Sequence, residues 1–161
     1  MDVQELKKFA DNYSAVDFDK IKLDWNGKYG GEFHDNNLDF RMQISEYVIS
    51  NLDDTKLELI KDLYLEIGKS SEGTFGVYLN FHLLAQELLQ RGGAEYLLDY
   101  IRGASHTMDT ALASGQITLS KEDAKKLLDY FDWKKETAAN AEELKLLNDF
   151  ICRRLEYHAN K

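Results

Sequence analysis

Apolar residues recur at helical spacing along nearly the whole chain. Val3, Leu6, Phe9 and Ala10 predict a first helix to about Asn12. A short second one is expected from Asp17, burying Phe18 and Ile21. Asp35 or Asn36 can cap a helix carrying Leu38, Met42, Ile49 and Leu52. Asp53 and Asp54 open the next, which runs through Leu57, Ile60, Leu63, Tyr64 and Ile67 and is closed by Gly68. The stretch from Phe75 to Gln90 is apolar on most sides, the mark of a buried helix, and Gly92-Gly93 ends it. Shorter helices are expected at 94–102 and 105–114. Ser120-Lys121-Glu122-Asp123 and Asn140-Ala141-Glu142-Glu143 are capped starts for two more, the last carrying Leu144, Leu147, Phe150, Ile151 and Leu155. Only Ile117-Thr118-Leu119 alternates like a strand, and it is too short for one. The fold class is therefore all-α: one domain over 1–161, seven or eight helices around a buried central helix at about 75–90. The segment 25–35, with three glycines among its aromatics, breaks the periodicity and reads as a loop.

Composition supports the helical reading. The chain has 161 residues and no proline, where average usage near 5% would give about eight; proline is excluded from helix interiors. Cys152 is the single cysteine, so neither an intramolecular disulfide nor a cysteine-based zinc site is expected. No apolar run approaches the ~18 residues of a membrane span, and the first residues lack signal-peptide order. The expectation is a soluble, cytoplasmic protein with no cofactor and no metal.

Charge sharpens the picture. Twenty basic against 29 acidic side chains give −9 at pH 7. Residues 1–80 hold 16 acidic and 9 basic groups, residues 81–161 hold 13 and 11. Such a surface repels nucleic acid and anionic membranes and attracts a basic partner.

Short motifs add little chemistry. Asp35, Asn37, Asp39 and Glu46 fall where a calcium loop places oxygen ligands, but Phe40 stands where its sharp turn needs glycine. A helix start favoured by its dipole accounts for these residues. Gly68-Lys69-Ser70 lacks the earlier glycine of a phosphate loop and reads as a helix end. His82 reads as a core residue, no two histidines stand at i, i+4, and Cys152 reads as a small buried hydrophobe. Arg153 and His158, with four residues between them, resemble the Arg-x4–6-His signature of HEPN domains. That resemblance implies an alternative function, a ribonuclease or nucleotide-binding domain using this pair.

Trp25, Tyr29 and Phe33, punctuated by Gly27, Gly30 and Gly31 and flanked by Asp24, Glu32 and Asp35, have the composition of an interface that captures a basic protein. Folding of the rings back over the core is equally open. The runs Tyr78–Leu89, Asp99–Gly103 and Asp109–Gly115 resemble small helical immunity proteins of bacterial contact-dependent inhibition and related polymorphic toxin systems, and are similar to those guarding against EndoU-type ribonuclease toxins. The resemblance carries no binding residues over; it implies an inhibitor that plugs the active site of a toxin.

The leading expectation is thus a non-catalytic acidic inhibitor that covers the active site of a basic toxin, which the resemblance implies to be a ribonuclease. Expected contact residues are Asp24, Trp25, Tyr29, Glu32, Phe33, Asp35 and Asp39, with Asp53, Asp54 and Asp62 as equal candidates. A further alternative is a helical adaptor that binds an apolar partner helix.

Overall fold

Several helices begin or end for a local reason that can be read in their flanking residues. The computed structural model describes residues 1–74, 76–150 and 152–161. Among these it has nine α-helices: α1 (Val3–Asn12), α2 (Leu38–Ile49), α3 (Leu57–Ser70), α4 (Phe81–Arg91), α5 (Leu97–Ala104), α6 (Met108–Ser114), α7 (Lys121–Glu136), α8 (Ala141–Asp149) and α9 (Arg153–Asn160). Short 3₁₀ turns stand at Ala15–Lys20, Gly30–Glu32, Leu52–Asp54 and Gly93–Tyr96. The described residues contain no strand and no sheet, so the domain is all-α. The expected residues Phe75 and Ile151 lie outside the described set.

Several starts follow the capping residues. Asp2 accepts from Glu5 N at 2.8 Å and caps α1. Ser120 and Asn140 accept from Asp123 N and Glu143 N at 3.0 and 2.9 Å and cap α7 and α8. Other boundaries differ from expectation. The helix expected from Asp17 is a 3₁₀ turn, although Ile21 behind it is fully buried. Asp53 and Asp54 occupy a separate turn before α3 rather than opening it. The buried helix begins at Phe81, not Phe75, because Gly76 has φ +92°, outside helical conformation, and Leu79 is exposed. The expected last helix is two, since the extended backbone of Phe150 (φ −76°, ψ 131°) ends α8.

The centre is shared by α3 and α4. Leu59, Ile60, Leu63 and Tyr64 of α3 and Phe81, Leu84 and Leu88 of α4 are completely buried. Tyr64 stacks on Phe81 with ring centroids 4.5 Å apart, and its hydroxyl donates to Tyr100 O at 2.9 Å. Close approach explains two glycines that do not end helices. A Cβ at Gly103 would overlap the Tyr64 ring, and one at Gly68 would come within 2.8 Å of His106 Cδ2. Gly68 lies inside α3, which continues to Ser70, so it is a packing residue rather than a terminator. Around this pair, α1 packs on α2, α5 on α3 and α6, and α7 on α9.

Candidate functional site

The segment leading into α2 folds as a closed loop. Trp25 and Asp35 form an isolated antiparallel bridge, with Asn26 N donating to His34 O at 3.0 Å and Asn36 N to Asp24 O at 3.1 Å. Asn26 fills the inside of the turn: its Nδ2 donates to Glu32 O at 2.8 Å, and its Oδ1 accepts from Lys28 N at 3.1 Å. Gly27, at φ +79°, supplies a left-handed step that side chains disfavour. Trp25 Nε1 donates to Lys28 O at 2.6 Å, which fixes the indole against the loop.

The base of the loop is polar and buried. Asp35 and Arg41 form an ion pair whose two side chains have no exposed surface. Asp35 Oδ1 also accepts from Asp24 N and Asn37 N, both at 3.1 Å. Arg41 Nη1 donates to Ile21 O and Lys22 O at 3.1 and 3.2 Å. Glu66 of α3, itself buried, accepts from Leu23 N at 2.8 Å. The chain on both sides of the loop is therefore tied to α2 and α3 through charged groups. Such charge-assisted bonds are the strong ones.

Above this base stand the rings. Tyr29 meets Trp25 edge-on at 4.8 Å and is 68% exposed. Phe33 stacks near Trp25 at 6.2 Å and lies over Gly73, where any Cβ would meet its ring at 2.5 Å. Trp25 and Phe33 are half-buried. The two readings of the loop thus divide by residue: Phe33 folds back onto the body, Tyr29 faces outward, and Trp25 links them.

Six expected contact residues come together here: Asp24, Trp25, Tyr29, Glu32, Phe33 and, in the first turn of α2, Asp39. Asp24, Glu32 and Asp39 are exposed, with Glu32 held by Lys28 at 2.7 Å. Asp35 is a correction. It is buried, because Arg41 and two backbone amides need its carboxylate, and it shapes the loop without facing a partner. Asp53 and Asp54 are exposed but lie past the far end of α2, about 18 Å of helix away. Asp62 is half-buried and accepts from the Tyr13 hydroxyl at 2.7 Å.

The alternative pair does not assemble. Arg153 is exposed, while His158 is buried with Nε2 3.1 Å from Ile117 O. Five residues apart on α9, they point about 140° away from each other. Cys152 is buried as expected, and that burial pushes its thiol up to about 12, far from a reactive thiolate. Among the described residues no group of three or more His, Cys, Asp or Glu side chains could hold a metal ion, and no helix is long and apolar enough to cross a membrane.

Sequence reading missed Arg41. One signal was available: Arg41, Ile44, Ser45 and Val48 share the buried stripe of α2, so an arginine was being placed in the core. A core arginine requires a carboxylate partner. Comparison of the chain with protein-family models, curated proteins and solved structures finds no match.

Proposed function

We propose that the chain is a non-catalytic inhibitor that captures a basic protein through the loop 25–35 and the first turn of α2. The captured protein is a nuclease-type toxin acting in the cytoplasm. The observation that carries this reading is the loop itself: an outward Tyr29 on a Trp25 support, exposed carboxylates at Asp24 and Glu32 in the same segment and at Asp39 in the first turn of α2, and a base fixed by a buried ion pair. Rigid aromatics of this kind bind without a large ordering cost, and surrounding carboxylates steer a cationic partner and oppose an anionic one. The carboxylates would take the positions that RNA phosphates occupy in the active site of the toxin. The net charge of −9 and its concentration in residues 1–80 support the same polarity.

The test is calorimetry against the basic C-terminal domain of a secreted toxin encoded beside this gene. Binding at 1:1 is expected, weakening by at least about tenfold between low and high salt. Tyr29→Ala is expected to weaken it by at least about tenfold as well, a typical hot-spot effect. Affinity indifferent to both salt and Tyr29, or cleavage of RNA by the pure chain, would overturn the proposal.

A further inference from the structure

The short helix α6 carries an exposed apolar ridge. Met108 and Leu112, one turn apart, are 79% and 63% exposed. Beside the ridge opens a hollow of about 480 Å³ between α5, α6 and the start of α9, with Ala104, Leu112, Phe150, Cys152 and Leu155 among its walls. Isolated apolar residues on a surface are ordinary, but a ridge adjoining an apolar hollow is the form of an interaction site. Charges of both signs flank it. Asp109 sits on α6 beside the ridge, Arg153 stands on the rim of the hollow, and Asp149 and Arg154 also line it. Asp109, Asp149 and Arg153 are exposed, and among the described residues none of the three joins an ion pair within the chain.

We infer that this face seats a second copy of the chain. A two-fold interface uses the same patch on both subunits, so that patch must hold both knob and hole and both signs of charge. This one does. Leu112 and Met108 enter the hollow of the other subunit, while Asp109 faces the other subunit's arginine and Arg153 faces its aspartate. A partner of different sequence needs no such self-complementarity, and the site is separate from the residues proposed to capture a toxin.

Sedimentation equilibrium on the full chain, from about 1 to about 300 µM, tests the inference without any toxin. The average mass is expected to rise from 18.6 kDa towards twice that value. Leu112→Glu, at an exposed position, is expected to weaken association by at least about tenfold while leaving the helical circular dichroism unchanged. Asp109→Arg and Arg153→Asp should each weaken it by placing like charges together, and the double variant should restore it. A single 18.6 kDa species at every concentration would overturn the inference. So would association that survives Leu112→Glu, or a double variant no better than either single one.

Discussion

Arg41 is completely enclosed, and its guanidinium serves two backbone carbonyls some twenty residues earlier in the chain and one carboxylate six residues earlier. Its Nε has no partner within the described residues, so Nη1 and Nη2 carry all of this work. Removing one member of a buried ion pair leaves the other charged and desolvated, at a typical cost of about 3–5 kcal/mol. Arg41→Leu should therefore destabilise the protein by about that amount in urea unfolding. Asp35→Asn, which keeps an acceptor for the two amides, should cost less. Lysine at 41 should not rescue, because one ammonium lacks the planar fork that reaches several acceptors. Trp25 emission should shift to the red in each variant, since its loop is released before the core. A change below about 1 kcal/mol for Arg41→Leu would mean that the pair does not hold the loop.

The segment between α6 and α7 follows the same logic, with side chains serving its backbone. Ile117 and Leu119 are buried while Thr118 is exposed, the alternation of a strand, yet no strand lies beside it. A side chain takes the place of the missing neighbour. Gln86 of α4 donates through Nε2 to Thr118 O at 2.7 Å and accepts from Thr118 N at 2.6 Å. From the other side, Arg154 Nε and His158 Nε2 of α9 donate to Ile117 O at 3.2 and 3.1 Å. Gln86→Ala removes two backbone bonds and should lower stability by about 1–2 kcal/mol, measured by urea unfolding, with faster amide exchange at Thr118. Unchanged exchange at Thr118 would refute the clamp. This element shows where sequence reading stops. Helices at α1, α7 and α8 were legible because capping residues and apolar spacing are local, within about four residues. The alternation at 117–119 was legible too, but its partner lies 32 residues earlier, on a glutamine that reads as an ordinary polar helix position. The start of α4 was misplaced for a related reason: apolar content at Val77 and Tyr78 continues the pattern while Gly76 breaks the backbone. In the candidate loop, composition revealed the aromatics and carboxylates. Which carboxylate turns inward was decided by Arg41, six residues beyond it and across a helix boundary.

At the scale of the molecule, the ionisable groups that burial perturbs most all titrate at alkaline pH. Burial pushes the Cys152 thiol from 9.0 up to about 12 and the Tyr64 hydroxyl well above its ordinary 10.0. Tyr100 is raised by burial as well, and Tyr13 by burial and by its bond to Asp62. The sign follows from proton linkage. Above pH 9 the unfolded chain loses these protons while the native chain keeps them, so the unfolded state binds fewer protons and stability falls as pH rises. Well below pH 9 both states hold them, and these groups contribute no slope. The urea midpoint should thus be insensitive to these four residues near pH 7 and should decline as the pH passes 9 towards 12. The thiol acts first, because its unfolded value is the lowest of the four. Cys152→Ala, which truncates a small side chain, should shift the whole curve slightly and reduce the drop between about pH 9 and 10 specifically, while the tyrosine-driven fall above pH 10 persists. Ultraviolet titration offers a second readout: Tyr64 and Tyr100 should ionise only as the circular dichroism of the helices is lost. If phenolate forms at those positions in a chain whose helices are intact, the stacked Tyr64–Phe81 centre is not as closed to water as its burial implies, and the alkaline decline must have another origin.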